Sequence, residues 1–163
     1  MKSNLKFLTA ILATVLMGSG SFVLQAKADA GFSKTYNKSA KELFALVDFH
    51  QPSEAIMPPI ASSKVVGKGL GAIKINNLKD NGGVITLQLV HYAPETYAFN
   101  YVIRSAPLPI EDYVGQVRVK DLGDGKSQLS WKGVFKGTKV SQEEADKMIQ
   151  GFLNSIADKI AQK

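Results

Sequence analysis

Ser141-Gln-Glu-Glu-Ala-Asp-Lys-Met-Ile-Gln-Gly-Phe-Leu-Asn-Ser-Ile-Ala-Asp-Lys-Ile-Ala161 is the stretch whose reading decides the architecture. Ser141 and Glu144 have the spacing of a capping box, in which a hydroxyl and a carboxylate each accept from a backbone N–H that the first helical turn leaves unpaired. Beyond it Ala145, Ile149, Phe152, Ile156 and Ile160 recur at helical spacing, while Lys147, Asn154, Asp158 and Lys159 occupy the other face. A helix to about Ala161 is predicted, with one apolar stripe that another layer must cover.

The preceding residues supply a sheet. From Lys64 to Phe135, short alternating runs are separated by turn residues such as Asp80-Asn-Gly-Gly83 and Gly123-Asp-Gly125, where positive φ angles make tight hairpins. Strands are predicted at about 64–68, 72–79, 84–92, 97–104, 113–122 and 128–136, paired in sequence order as an antiparallel meander. Upstream, Ser39-Ala-Lys-Glu42 is a second capping box opening a short helix over 40–48, after a strand near 32–36. Three prolines in the eight residues from Pro52 to Pro59 permit at most one helical turn there, between Ser53 and Met57. The expected class is α+β, a curved antiparallel sheet of about seven strands wrapped around the C-terminal helix.

The N-terminal thirty residues read differently. Lys2 and Lys6 precede an apolar run from Phe7 to Met17, and Ala28-Asp29-Ala30 has the small-x-small form of a signal cleavage site. The expectation is a signal peptide over 1–30, cleaved near Ala30, then one domain over 31–163 in the bacterial periplasm with no membrane span after cleavage. Setting aside Lys2, Lys6, Lys27 and Asp29 lowers the net charge from +6 to +4. The chain has no Cys, which excludes disulfides, thiol nucleophiles and Cys-ligated metals.

Period-two alternation assigns an inner face to each strand. On this reading Ile73 and Ile75 face inward, with Lys74 and Asn76 outward. Ile85, Leu87, Leu89 and His91 follow inward, then Tyr97, Phe99, Tyr101 and Ile103, then Tyr113, Gly115, Val117 and Val119, then Leu129, Trp131 and Phe135. So many aromatic rings on one concave surface point to a cavity with a few polar contacts, against the alternative of a core simply filled by rings. Arg118, Lys120, Lys132 and Lys136 fall on the outer face, a positive surface that would steer an acidic partner, although a solvated face is the simpler reading.

Catalytic chemistry has few carriers. His91, Tyr101 and Tyr113 are the candidate polar groups if the cavity holds a reaction centre. His50 and His91 are too far apart in sequence, and too poorly supported by neighbouring carboxylates, for a zinc site. Glu111-Asp112 reads as a solvated pair. Gly67-Lys-Gly-Leu-Gly71 precedes a strand rather than a helix, so it reads as a bend and not as a nucleotide loop. No metal, cofactor or nucleic-acid partner is expected.

Gly71 to Asp80, Tyr97-Ala-Phe-Asn-Tyr101, Ala106-Pro-Leu-Pro-Ile-Glu-Asp-Tyr113 and Ser130-Trp-Lys-Gly-Val-Phe135 together resemble the START/Bet v 1-like (SRPBCC) superfamily in its polyketide cyclase/dehydrase branch, and within it exported MxaD-like proteins. The resemblance implies the helix-grip (Bet v 1-like) fold. It implies a gate at Leu78 to Gly83, a latch at Ala106 to Ile110, and a cavity lined by Leu87, Tyr101, Ile103, Leu108, Ile110, Tyr113, Phe152 and Ile156. With the inward-facing Leu89, Phe99 and Trp131, these are the candidate ligand-binding residues. Leu87 stands where many relatives carry a pocket Glu, and the neighbourhood of Met57 lacks an anchoring Lys, which implies an apolar ligand. The function implied is a non-enzymatic accessory role in periplasmic methanol oxidation, binding a small hydrophobic ligand or docking an acidic dehydrogenase or cytochrome. The alternative is a cyclase, dehydratase or aromatase acting on an apolar substrate in the same cavity.

Overall fold

A computed structural model describes residues 28–163. Its elements are β1 (Ala28–Tyr36), α1 (Ala40–Val47), β2 (Ile60–Val66), β3 (Ile73–Leu78), β4 (Val84–Ala93), β5 (Ala98–Ser105), β6 (Ile110–Gly123), β7 (Lys126–Gly137) and α2 (Gln142–Ala161). The predicted signal peptide, save its last three residues, lies outside the described residues. β1 begins upstream of the predicted Phe32, so the predicted cleavage site near Ala30 falls on residues paired with β7, Ala30 opposite Gly133.

Both capping boxes form, and they start the helices where expected: Glu144 N–H donates to Ser141 Oγ at 3.2 Å while Ser141 N–H donates to Glu144 Oε2 at 2.9 Å, and Ser39 with Glu42 repeats the arrangement. The seven strands form one antiparallel sheet in the order β1-β7-β6-β5-β4-β3-β2, so the meander from β2 to β7 is closed on its far side by β1. β2 lies a few residues earlier than expected because Pro58 and Pro59 end at a turn and Ile60 already pairs with Leu78.

α2 lies along the concave face and buries Ala145, Ile149, Leu153, Ile156 and Ile160. Gln150 holds the helix to the first strand, accepting from Gly31 N–H and donating to Gly31 O, both at 3.0 Å. Tyr36 O–H donates to Ala157 O at 3.0 Å. α1 sits at the other end of the groove, where Leu43, Phe44 and Val47 are buried. Phe44 packs on Tyr97 and Phe99, and Phe49 on Phe99 and Tyr101, with ring centroids 5.6 to 6.4 Å apart. Trp131, Phe99 and Phe135 are almost wholly shielded. The aromatic inner face is therefore a filled core at the α1 end, and the open space lies further along.

Two strands depart from the alternation read from the sequence. In β3 it is Lys74 and Asn76 that are buried, at 4% and 2% exposure, while Ile73 and Ile75 are half-buried on the outer face. In β4 the register with β5 shifts between Leu89 and His91, a bulge that inserts one extra residue and inverts the alternation beyond it. Val90 and His91 are both exposed in consequence, and Tyr92 turns inward.

Candidate ligand-binding site

The cavity, ≈ 50 Å³ in volume, opens between the sheet and the N-terminal half of α2. Ile85 and Leu87 reach it from β4, Tyr101 and Ile103 from β5, Tyr113 from β6, and Ile149 and Phe152 from α2. Met57, Ile60 and Leu108 complete the apolar wall, and Asn76 enters from β3. At roughly 10–15 Å³ per water position this is room for a few waters, so a larger occupant requires the loops to part. Those loops touch. Gly83 stands at φ 97°, and a Cβ there would lie 3.1 Å from Pro107 Cγ, so the predicted gate closes directly on the predicted latch.

Two glycines set the tyrosines in place. Tyr101 pairs across β5 and β6 with Gly115, and Gly115 pairs with Gly133 on β7. Each ring lies over the glycine of the next strand: a Cβ on Gly115 would be 2.2 Å from Tyr101 Cζ, and one on Gly133 would be 2.6 Å from the Tyr113 hydroxyl. Only glycine leaves that space. The hydroxyls are thereby brought together. Trp131 Nε1–H donates to the Tyr101 hydroxyl at 3.1 Å, and the Tyr101 and Tyr113 hydroxyls are 3.5 Å apart, at the outer limit of a hydrogen bond. Burial drives the pKa of Tyr101 up and that of Tyr113 well up, so both remain neutral donors.

Six of the residues predicted to bind a ligand line this cavity together: Leu87, Tyr101, Ile103, Leu108, Tyr113 and Phe152. The others do not. Phe99 and Trp131 border a smaller void of ≈ 20 Å³ on the α1 side, which also touches Lys74. Leu89 and Ile156 are packed in the core, and Ile110 is half-buried against it. Met57, Ile60, Asn76, Ile85 and Ile149 are lining residues absent from the sequence reading of the site. Ile85 and Ile149 were on the inward sets and had the signal needed; Asn76 was assigned to the wrong face.

His91 is corrected outright. The bulge that precedes it leaves His91 exposed and outside the cavity lining, so it does not face the cavity as the alternation predicts. The inward position passes to Tyr92, which belongs to a polar cluster beyond the α1 end of the core. There Asp48, a nearly buried carboxylate, accepts from His50 Nδ1 at 3.0 Å and from Tyr92 O–H at 2.9 Å. Gly69 N–H donates to His50 Nε2 at 3.3 Å, so both ring nitrogens are engaged and the glycine-rich bend is tied down. Lys74 Nζ donates to Gln51 O at 2.8 Å and lies 5.0 Å from the Phe49 ring centroid. Burial lowers its pKa to about 8, against the opposing pull of Asp48 and Glu54. With its polar contacts all internal, the cluster joins the α1–β2 connection to the sheet.

On the outer face, Arg118, Lys120 and Lys132 are exposed and Lys136 half-exposed. Lys132 pairs with Asp29 at 2.8 Å and Lys136 with Glu111 at 2.7 Å, which leaves Arg118 and Lys120 to carry the positive field among the described residues of that set.

A curved seven-stranded antiparallel sheet gripping a C-terminal helix, with an apolar cavity between them, defines a helix-grip protein of the Bet v 1-like fold with the architecture for holding a hydrophobic ligand. The family model described as polyketide cyclase / dehydrase and lipid transport matches residues 32–163, and the chain belongs to that family. Among solved structures, XoxI from Bacillus cereus is 25% identical, with a TM-score of 0.75 over 83% of this chain and 94% of its own. The ZhuI aromatase/cyclase from Streptomyces sp. R1128 is 13% identical, with a TM-score of 0.67 over 84% of this chain and 90% of its own. Ara h 8.0201 shares the fold at 16% identity and a TM-score of 0.62, over 85% of this chain and 100% of its own. No curated protein matches the chain in sequence.

Proposed function

We propose that this protein is an exported, non-enzymatic carrier or accessory protein that holds a small hydrophobic molecule in the cavity between β3–β6 and α2. The observation that carries the reading is the cavity's lining, apolar apart from Asn76 and two tyrosine hydroxyls, with no His, Asp, Glu, Lys or Arg among the residues that form it. General acid–base catalysis is most efficient when a group titrates near the working pH, and burial holds Tyr101 and Tyr113 above that range. The binding term is different in kind: apolar surface leaves water at roughly 25 cal/mol per Å².

Export is supported by the basic, apolar and small-residue segments over residues 1–30. An accessory role in periplasmic methanol oxidation rests on the resemblance to MxaD-like proteins. Docking of an acidic dehydrogenase or cytochrome would fall to Arg118 and Lys120, with Lys132 and Lys136 recruited only if their ion pairs open. Native mass spectrometry of the protein purified from periplasm tests the carrier reading. A co-purified small molecule, or mass shifts on adding neutral hydrophobic probes, is the expected result; a single unliganded mass with no probe uptake contradicts it.

A further inference from the structure

We propose that Asn76 and Tyr113 form a headgroup site within this cavity for an apolar molecule ending in one uncharged hydroxyl, an alcohol or a phenol. The inference rests on the cavity being a ligand site and adds the chemistry of what it takes. Asn76 is only 2% exposed, it lines the cavity, and its Oδ1 is buried with no hydrogen-bond partner. A buried acceptor left unpaired costs about 1–3 kcal/mol, so the position is unfavourable unless a donor arrives there.

The tyrosines supply the complementary half. Trp131 Nε1–H donates to the Tyr101 oxygen, and the Tyr101 and Tyr113 hydroxyls are 3.5 Å apart, a separation at the outer limit of a hydrogen bond in which either can be the donor. So long a contact leaves the Tyr113 hydroxyl able to turn its proton to a ligand. A ligand hydroxyl can satisfy both ends, donating to Asn76 Oδ1 and accepting from Tyr113. A ketone or ether cannot donate to Asn76, and a hydrocarbon leaves both groups unpaired. A carboxylate would be buried against an apolar wall without a counter-charge, since Lys74 lies outside this lining and donates to Gln51 O.

Isothermal titration calorimetry with three probes of one shape tests this: 4-propylphenol, propylbenzene and 4-propylbenzoate. The wild-type protein should bind 4-propylphenol about tenfold more tightly than propylbenzene, the ratio of roughly one neutral hydrogen bond, and 4-propylbenzoate least. Asn76→Leu and Tyr113→Phe should each bring phenol and hydrocarbon within about threefold of one another while propylbenzene binding persists. Asn76→Leu should also match or exceed the wild-type unfolding midpoint, because it removes an unpaired buried acceptor. Should that variant not fold, Tyr113→Phe still decides the ratio. Equal wild-type affinity for phenol and hydrocarbon, or a preference unchanged in the variants, overturns the headgroup site and leaves the apolar cavity standing. No binding of any of the three overturns the cavity reading and the headgroup site with it.

Discussion

Gly115→Ala is expected to lower the unfolding midpoint by roughly 10 °C, on a cost of about 3 kcal/mol, and to abolish uptake of apolar probes. A Cβ at this position would lie 2.2 Å from Cζ, 2.3 Å from Cε1 and 2.6 Å from the hydroxyl of Tyr101, inside any possible contact distance. The methyl is held by the strand, and Tyr101 is confined on its other sides by Phe49, Phe99 and Trp131, so the cavity is the space left for the ring to move into. Moving it breaks the bond from Trp131 Nε1 and pushes the ring into the cavity it now borders. Thermal unfolding of the single variants and the pair provides the check. Tyr101→Ala alone should cost about 3–5 kcal/mol, and adding Gly115→Ala to it should cost little more, because the clash has gone. Additive losses would show that the glycine matters for some other reason.

Lys74 should make the protein more stable as the solution becomes alkaline. Its pKa is about 8 in the folded chain against an ordinary 10.5, so folding disfavours the charged form. Below about pH 8 both states carry the proton and the full cost of burying the ammonium is present. Between about 8 and 10.5 the unfolded chain binds more protons than the folded one, and stability rises with pH. From pH 7 to pH 10 the gain is about 2–3 kcal/mol. Tyr36 and Tyr92, each pushed up to about 12, act in the opposite sense, with stability lost only as the unfolded chain ionises above about 10. Urea unfolding of wild type and Lys74→Met at pH 7, 8, 9 and 10 isolates the lysine. The wild-type stability should climb relative to the variant across the series; parallel curves would mean that Lys74 is not buried.

The difference between what was legible in sequence and what was not lies in the kind of information each feature needs. Helix starts and hairpin turns are local: Ser141 with Glu144, Ser39 with Glu42, and the glycine turns at 82–83 and 123–125 each act through backbone donors or φ angles within a few residues. Together with the single apolar stripe of α2 they leave little freedom in how the chain wraps. The faces of β3 and the end of β4 are not local. Lys74 is buried because Gln51 O and the Phe49 ring, both from another segment, receive its ammonium. Nothing in the alternation of Ile73, Lys74, Ile75 and Asn76 announces that acceptor, so hydrophobicity assigned the strand the wrong way round.

His91 was misplaced for a related reason. A bulge after Leu89 is a property of the pairing between β4 and β5, and it inverts every position beyond it. The cavity itself was half legible. Leu87, Tyr101 and Tyr113 follow from alternation and resemblance, but the division of one aromatic face into a filled α1 end and an open loop end depends on where Phe44 and Phe49 insert. Asn76, on which the headgroup site turns, came to light only once the register of β3 was known.

The most direct test of the central claim is a methyl NMR titration with a neutral apolar probe such as 4-propylphenol. Saturable shifts are expected for Ile85, Leu87, Ile103, Leu108 and Ile149, which line the cavity, with Leu129 and Ile160 in the packed core nearly unmoved. Absence of saturable shifts at the lining methyls, or shifts confined to the outer face of the sheet, would contradict a ligand cavity between the sheet and α2.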